Sequence, residues 1–194
     1  MSFFKKLFSK ASSKEQEAKK QEVHLSLDDA FVHHFIDKGG KFLYCVSEKE
    51  VTGNLKQILE ENEWDTISCH DDDIKKYLKK QKISIELDFD KEVPFFTTCE
   101  HLISDNGDIL FSSNQLSTHK IAALTDNFIV FAKTSQLVRN TGQGLTGIKS
   151  NCKESIPTNI SAVKNYTLKK EDDNFLNYGN SNSKNLYLLL LEDL

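Results

Sequence analysis

The stretch that decides the fold runs from residue 94 to residue 133 and reads PFFTTCEHLISDNGDILFSSNQLSTHKIAALTDNFIVFAK. Two apolar runs, at 99–104 and 109–113, are separated by Asp105-Asn106-Gly107-Asp108. Asn-Gly between β-prone runs is a strong signal of a tight type I′ hairpin, in which both central residues have positive φ. The stretch therefore predicts a β-hairpin with Asn106 and Gly107 at its tip.

The chain before this stretch alternates between strand and helix patterns. Capping signals at Ser26 and Ser47 each precede an amphipathic helix, and Gly39-Gly40 ends the first of them. Asp71, Asp72 and Asp73 begin a third helix, where the N-terminal dipole favours negative charge; we expect them to cap that helix rather than to bind a cation. Strand patterns cover 42–46, 64–69 and 83–87. This alternation predicts a parallel, doubly wound sheet.

The chain after the stretch adds further elements. Thr134-Ser135-Gln136 predicts the cap of a helix that continues through Leu137 and Val138. A strand is expected at 159–166, and the apolar run at 186–191 predicts a strand buried on both faces of the sheet. The motif GQGLTG at 142–147 suggests a phosphate loop, but we place it within or just after a helix rather than directly after a strand, which argues against that reading.

Composition sets the class of protein. A chain of 194 residues with 38% hydrophobic content suits one domain with its own core, and we expect residues 23–194 to form it. With neither a membrane-spanning apolar run nor a signal-peptide pattern, we expect a cytoplasmic protein. The net charge of −4 argues against nucleic acid as the main partner.

Cofactor and metal motifs are missing from the sequence. The four cysteines, Cys45, Cys69, Cys99 and Cys152, include no C-x-x-C pair, and their spacing is not that of a zinc or iron–sulfur ligand set. We expect the first three to be small apolar residues on strands. There is also no G-x-G-x-x-G or Walker loop. The sequence therefore predicts no cofactor and no metal site.

Residues 1–22 form a separate opening segment. Phe3, Phe4, Leu7, Phe8 and Ala11 recur at helical spacing with lysines between them, which predicts a short amphipathic basic helix. The segment holds six lysines and three glutamates, a net +3, which leaves −7 for the rest of a chain whose total is −4. We expect this helix to pack on its own domain or on a second copy in a homo-oligomer. The alternatives are docking on a partner protein or on a membrane surface.

Three pieces of the sequence together resemble the LUD domain family (also designated DUF162), the group of lactate-utilisation protein C. The family's turn I-A-E-T-G-T is matched by Ile103-Ser104-Asp105-Asn106-Gly107-Asp108. Its strand followed by s-q-I-V is matched by residues 128–131 and Ser135-Gln136-Leu137-Val138. Its late loop G-P-S-r-T-A-D-I lies on residues 179–186. The resemblance covers roughly residues 90–194. The departures that matter for a site are Asp105 for Glu, Asp108 for Thr, Ser183 for Thr and Asn185 for Asp.

This resemblance implies a fold like that of the ribose-phosphate isomerase and coenzyme A transferase group. The expected fold class is α/β: a Rossmann-like three-layer sandwich with a mainly parallel sheet plus a β-hairpin. The resemblance also implies a role alongside iron–sulfur proteins that oxidise L-lactate to pyruvate. It directs a search for ligand-binding residues to the turn and the late loop: Asp105, Asn106, Gly107, Asp108, Gly179, Ser181 and Ser183.

Two functions follow as expectations. The first is an accessory component of L-lactate utilisation, which binds a small organic acid or partner proteins such as iron–sulfur subunits. The alternative is an isomerase- or acyl-transferase-like enzyme acting at the carboxyl edge of the sheet, where open α/β sheets bind ligands. Its acid–base groups would come from Glu100, Asp105, Asp108, His101 and His119. Glu100 and His101 are neighbours on a predicted strand and therefore face opposite sides. No residue is assigned as catalytic.

Overall fold

The structure, a computed structural model, describes residues 26–79, 81–151, 155–168 and 182–193. The helices are α1 (Leu27–Asp37), α2 (Glu48–Glu61), α3 (Asp72–Lys75), α4 (Ser113–Leu116) and α5 (Thr141–Asn151), with 3₁₀ turns at Ile121–Ala123 and Thr134–Gln136. The strands are β1 (Lys41–Cys45), β2 (Thr66–Ser68), β3 (Ser84–Glu86), β4 (Phe95–Thr97), β5 (His101–Ile103), β6 (Asp108–Phe111), β7 (Asn127–Lys133), β8 (Leu137–Val138), β9 (Ser161–Val163) and β10 (Asn185–Leu191).

Six strands form a parallel sheet in the order β1-β10-β7-β4-β2-β3. The two seven-residue strands β7 and β10 lie side by side within it, and Leu188 pairs with Val130. The continuous apolar run at 186–191 is buried on both faces, as predicted, because its alternate side chains point to opposite faces of the sheet and both faces are covered. The predicted α/β class with a mainly parallel sheet is confirmed.

Two hydrophobic layers cover the two faces of this sheet. Side chains alternate along β7, so Phe128 and Val130 face one layer while Ile129 and Phe131 face the other. The first layer is closed by residues of α1 and of a smaller sheet: Phe31, Phe35, Leu102, Ile109 and Phe111. The second is closed by residues of α2, α3 and the turn after it: Val51, Leu55, Ile58, Ile74, Tyr77 and Leu78. The result is a sandwich in which a second sheet occupies part of one helical layer.

The capping signals at Ser26 and Ser47 operate as predicted. The hydroxyl of Ser26 accepts the backbone N–H of Asp29 at the start of α1, and that of Ser47 accepts the N–H of Glu50 at the start of α2. Gly39 follows the last turn of α1 with a φ of 89°, a conformation that costs glycine little. The boundaries of these helices are therefore set by local chemistry.

The smaller sheet has the strand order β8-β5-β6-β9, and its antiparallel β5–β6 pair is the predicted hairpin. The predicted type I′ turn is wrong. The connection is a four-residue turn over 104–107 in which Gly107 has a φ of 69°, whereas Asn106 is not in the positive-φ region. The Gly107 N–H donates to the Ile103 carbonyl at 2.7 Å, and the longer loop needs only one left-handed residue.

The helix predicted through Leu137 and Val138 is also wrong. A 3₁₀ turn at Thr134–Gln136 leads directly into β8, which pairs in parallel with β5 through Leu102 and Leu137. Strand pairing across the sheet outweighs the local helical signal. Only two residues separate β8 from α5, but GQGLTG lies within the helix, as expected, and not directly after the strand.

The glycines of α5 have a packing role. A Cβ on Gly147 would lie 2.8 Å from His101 Nε2, and one on Gly144 would lie 2.9 Å from Leu110 Cδ1. A Cβ at either position would require the His101 or Leu110 side chain to shift, so the two glycines let α5 approach the β5–β6 hairpin closely. This accounts for Gly144 and Gly147 of the motif without a phosphate.

The three described cysteines are buried, as expected for small apolar residues, but only Cys45 lies within a strand. Cys69 and Cys99 come just after β2 and β4. Burial raises the pKa of all three thiols, that of Cys69 to about 11. They are therefore protonated near neutral pH, and neutral thiols are poor nucleophiles.

The helix predicted for residues 1–22 lies outside the described residues, as does Cys152. Within the part of the chain that the structure describes, no helix has the length and apolar character needed to cross a membrane.

Candidate binding cleft at the carboxyl edge

Three neighbouring parallel strands end together at one edge of the six-stranded sheet. Since β2 pairs in parallel with both β3 and β4, the residues that follow these strands meet at the same edge. His70 follows β2, Phe89 follows β3, and Thr98 and Glu100 follow β4. The carboxyl edge is where open α/β sheets bind ligands, so the fold itself gathers these side chains at a suitable place.

Phe89 joins two histidines from distant parts of the chain. Its ring stacks on His70 with centroids 4.1 Å apart and planes 19° apart. His119 contacts Phe89 in a tilted arrangement at 4.5 Å, and Phe95 contacts it at 5.2 Å. Aromatic contacts of this kind hold exposed rings in defined positions.

The loop after α4 brings His119 to this edge, and it carries backbone strain. Ser117 has a φ of 53° and a ψ of −125°, a conformation that favours glycine. The amide of Asn159, itself at a φ of 52°, donates to the carbonyls of His119 at 2.6 Å and of Ser117 at 3.4 Å. Strained residues persist where surrounding contacts hold them, and they concentrate at functional sites.

Glu100 is held beside this loop by two hydrogen bonds. One oxygen of its carboxylate accepts from the Ser112 hydroxyl at 2.6 Å and from the Asn114 amide at 2.9 Å. Ser112 also caps α4, whose first turn is closed by a reciprocal bond from the Ser112 N–H to Gln115 Oε1. The carboxylate is therefore positioned by residues on a defined helix start.

Asp71 performs the predicted capping role and also links two loops. One oxygen of its carboxylate accepts the N–H of Asp73 at 2.9 Å, as a cap of α3. The other oxygen accepts the Thr98 hydroxyl at 3.1 Å, which ties the loop after β2 to the loop after β4. This bond helps to keep the edge in one arrangement.

These loops border an open cleft of about 540 Å³, called here the carboxyl-edge cleft. Its lining residues are His70, Leu87, Asp88, Phe89, Ser113, Asn114, Gln115, Ser117 and His119. The lining combines aromatic and aliphatic surface with imidazole, amide and hydroxyl groups that donate and accept hydrogen bonds. Such a mixture, in a concave site of this size, suits a small polar ligand.

The pKa of His70 is lowered by desolvation under its neighbours, by the cation of Lys75 and by His119. Asp88 acts in the opposite direction. The His70 imidazole is therefore neutral near neutral pH, with one ring nitrogen able to donate and the other able to accept. Its Nε2 lies 3.4 Å from the hydroxyl oxygen of Ser68.

The hairpin turn has a different environment. The carboxylate of Asp108 is almost fully buried, with 5% of its side chain exposed, and binds Lys38 Nζ at 2.8 Å. Its second oxygen accepts a hydrogen bond from the side-chain amide of Asn106 at 3.0 Å, while the side-chain Oδ1 of Asn106 accepts the Asp108 backbone N–H. Asp105 is exposed, and its N–H donates to the Arg139 carbonyl at 2.9 Å. These contacts account for the turn as structure, and its role in ligand binding stays a prediction.

Gly107 places the turn directly on α1. A Cβ at this position would lie 2.6 Å from the backbone nitrogen of Phe35, and the carbonyl of Gly107 accepts the Tyr166 hydroxyl at 2.6 Å. Burial raises the pKa of Tyr166, and the Asp108 carboxylate adds to the effect. Only glycine allows this backbone-to-backbone approach.

The late loop is described in part. Gly179 and Ser181 lie outside the described residues, and Ser183 is buried. Next to it, Lys184 is 1% exposed; its ammonium donates to the Leu124 carbonyl at 3.0 Å and lies 3.4 Å from the Asp126 carboxylate. Burial lowers the pKa of Lys184, and Asp126 partly opposes that shift. The ligand-binding role of Ser183 is likewise still a prediction.

The acid–base residues considered from the sequence separate into three places. Glu100 borders the carboxyl-edge cleft through Asn114, and His119 lies in its wall. His101 instead packs against Gly147 of α5, with Nδ1 3.2 Å from the Gln136 carbonyl oxygen. Asp105 and Asp108 belong to the hairpin turn. Among the described residues, no group of three or more His, Cys, Asp or Glu side chains is placed to hold a metal ion.

Sequence reasoning missed His70 and Phe89. Both come just after predicted strands, at 64–69 and 83–87, so the rule that ligands bind at the carboxyl ends of parallel strands points to them. What the sequence lacks is the order of the strands, which decides that these two ends are neighbours.

The fold and the cleft together define an α/β protein with a parallel sheet and a ligand-sized site at its carboxyl edge. Comparison of structures adds one specific likeness: a DUF162 family protein from Deinococcus radiodurans, with a TM-score of 0.61 over 87% of this chain and 99% of that chain. The two sequences are 14% identical, so the match concerns the fold. At that level, the resemblance to the LUD (DUF162) family is confirmed.

No protein-family model matches the sequence, and no curated protein matches it.

Proposed function

We propose that this protein is an accessory component of L-lactate utilisation, which binds a small organic acid in the carboxyl-edge cleft and works with iron–sulfur partner proteins. The resemblance of residues 90–194 to the LUD family and the DUF162-type fold support the assignment. The observation that carries the binding role is the convergence of His70, Phe89 and His119 on a cleft of about 540 Å³.

The donors in the cleft suit a carboxylate ligand. Imidazole N–H groups of His70 and His119, the Asn114 amide and the Ser117 hydroxyl each donate hydrogen bonds that carboxylate oxygens accept. The Phe89 ring provides an apolar surface beside these donors for a short carbon chain. A two- to four-carbon hydroxy or keto acid therefore matches both the chemistry and the size of the site.

Calorimetric titration with L-lactate and pyruvate tests the binding role. We expect both acids to bind the wild type and His119→Ala to weaken binding by about tenfold to a hundredfold, since a hydrogen bond to a charged group contributes about 1.5–3 kcal/mol. His33→Ala is the matched control, because His33 is an exposed histidine on α1 outside the cleft. Equal affinities for the wild type and His119→Ala would show that the acids do not bind in the carboxyl-edge cleft.

A genetic experiment tests the lactate role separately from the site. Deletion of the gene should impair growth on L-lactate as the sole carbon source, and the wild-type gene should restore it. The His33→Ala gene should restore growth as well, whereas the His119→Ala gene should do so only partly. Unimpaired growth of the deletion strain on L-lactate would exclude the lactate role.

The second candidate is an isomerase- or acyl-transferase-like enzyme that acts on a small phosphorylated or acyl substrate. One observation favours it: the Glu100 carboxylate is fixed by Ser112 and Asn114 at the border of the same cleft. A carboxylate held in this way can serve as a base or a nucleophile. Turnover of a sugar phosphate or an acyl-CoA thioester that is lost in Glu100→Gln would establish this function. If the protein turns over none of the sugar phosphates and acyl-CoA thioesters tested, the enzymatic function is excluded.

A further inference from the structure

A second concave surface lies beside β1, the edge strand at the opposite end of the six-stranded sheet from β3. It is called here the α1–β1 groove. It has a volume of about 420 Å³ and is lined by Asp28, Asp29, Val32, Phe42, Tyr44 and Leu190, together with His33. β1 is the first strand of the sheet, so within the described residues its outer edge carries no neighbouring strand.

The groove is apolar at its base, and the elements that form it carry exposed apolar side chains. Leu190 is fully buried, and Val32 and Phe42 are partly buried against the core. Tyr44, at the mouth, is 45% exposed. Leu27 and Ile36 of α1 and Val46, which directly follows β1, are also exposed large apolar residues. A groove with an apolar base and exposed apolar side chains in its walls is a candidate interaction surface.

The rim of the groove is acidic. Asp28 and Asp29 occupy the first turn of α1, and the Glu192 carboxylate lies beside the Tyr44 hydroxyl. The imidazole of His33 is engaged by Asp37 at 3.3 Å, which adds another carboxylate nearby. A matching surface would therefore carry apolar side chains flanked by cations.

We propose that residues 3–11 of this same chain, FFKKLFSKA, dock in the α1–β1 groove. Phe4 and Phe8, one helical turn apart in sequence, would cover Phe42 and Tyr44, while Lys5, Lys6 and Lys10 would face the acidic rim. The segment is basic where the rim is acidic. Its apolar residues recur at helical spacing, so they would form one hydrophobic face that covers the apolar base of the groove. This occupant does not depend on the lactate role.

The route of the chain favours this occupant. α1 begins at Leu27, next to the lining residues Asp28 and Asp29, so the segment that precedes α1 is joined to the chain at the groove itself. Residues 12–25 between them can span up to about 3.3–3.6 Å per residue, which is ample to return to the groove. A tethered ligand also has an effective concentration in the millimolar range, which gives it an advantage over a free partner.

Zero-length carbodiimide cross-linking of the full chain tests the proposal, because it joins lysine amines to carboxylates in direct contact. In dilute protein we expect monomeric products that link Lys5, Lys6 or Lys10 to Asp28 or Asp29, identified by peptide mass spectrometry. Phe4→Ser/Phe8→Ser and Tyr44→Ser should each lower their yield about fivefold or more. Ile85→Ser is the matched control, since Ile85 is exposed on the opposite edge strand β3.

Three results would overturn the proposal. Equal yields in the wild type, Phe4→Ser/Phe8→Ser and Tyr44→Ser would show that the apolar contact does not exist. The same cross-links confined to dimers would assign the groove to the segment of a second copy. Co-sedimentation of the full chain with anionic phosphatidylserine vesicles, lost in Phe4→Ser/Phe8→Ser and accompanied by no cross-link to Asp28 or Asp29, would assign the segment to a membrane surface. An increased rate of trypsin cleavage at Lys10 in Tyr44→Ser would support the docked segment.

Discussion

The hairpin turn at residues 104–108 and the carboxyl-edge cleft contain similar polar residues in opposite situations. In the turn, Asp108 and Asn106 direct their hydrogen bonds to Lys38 and to each other, and the carboxylate is nearly buried. In the cleft, His70, Asn114 and His119 are exposed, and their rings or amides border an open volume. Polar groups that are saturated internally stabilise a fold, whereas positioned groups that still face solvent are available to a ligand.

Gly107 and Ser117 also differ in what a positive φ costs them. Gly107 takes a positive φ at no cost, because it has no Cβ, and the turn gains a close approach to α1. Ser117 takes a positive φ that disfavours any residue with a Cβ, and it does so on the wall of the cleft. Sequence and conformation agree in the turn and conflict in the cleft, and such conflicts are characteristic of functional sites.

The largest expected change in stability comes from a substitution that disrupts the hairpin turn. Gly107→Ala should lower the free energy of unfolding by about 3–4 kcal/mol, because a left-handed conformation costs about 1–2 kcal/mol and overpacking against Phe35 about 1–3 kcal/mol. Gly53→Ala is the control: no atom lies within 4 Å of its Cβ position in α2, so it should stabilise by about 0.5–1 kcal/mol. Denaturant unfolding measures both, and changes of the same sign would contradict the packing account.

A smaller effect should follow from removal of the partner of Asp108. Lys38→Met leaves a carboxylate that is 5% exposed without its cation, and we expect a loss of about 2–3 kcal/mol in unfolding free energy. Lys56→Met breaks an exposed pair with Glu60 and should cost under about 0.5 kcal/mol. Adding Asp108→Asn to Lys38→Met should restore part of the loss. If Lys38→Met and Lys56→Met lower the free energy of unfolding by the same amount, the Lys38–Asp108 pair does not stabilise the turn.

The strain at Ser117 gives a change of the opposite sign. Ser117→Gly should raise the free energy of unfolding by about 1 kcal/mol, because glycine accepts a φ of 53° without the strain of a Cβ. Asn159→Gly relieves a similar φ of 52° but removes the amide that donates to His119, so it should destabilise by about 1 kcal/mol. A destabilised Ser117→Gly in thermal or denaturant unfolding would show that the loop is not strained.

The smallest effect concerns protonation in the cleft. The pKa of His70 is lowered by desolvation, Lys75 and His119, so its NMR titration should have a midpoint below the ordinary 6.5. Lys75→Met should move the midpoint upward. Below pH 6.5 the unfolded chain binds the proton more readily than the folded one, so unfolding free energy should fall as the pH falls, and His70→Asn should reduce this dependence. A midpoint at or above 6.5 would mean that His70 is not covered by its neighbours as the structure has it.

Several features are encoded locally and are therefore readable from the sequence. Ser26 and Ser47 begin helices because hydroxyl oxygens accept backbone N–H groups two or three residues away. The apolar run at 186–191 indicates a strand buried on both faces because alternate side chains point to both layers. Patterns of this kind reach only a few residues along the chain, and that range is enough to predict elements and fold class.

Other features depend on contacts between distant residues, which only the tertiary structure decides. Leu137 and Val138 form a strand because β5, about 35 residues earlier, offers a pairing edge that the local helical signal does not record. His70, Phe89 and His119 become neighbours because β2, β3 and β4 are adjacent and parallel, so their carboxyl ends meet. Lys38 binds Asp108 although 70 residues of sequence separate them, and this contact gives the hairpin turn a structural role. The sequence by itself determined the elements and their class; strand order determined which polar side chains are buried and which line a cleft.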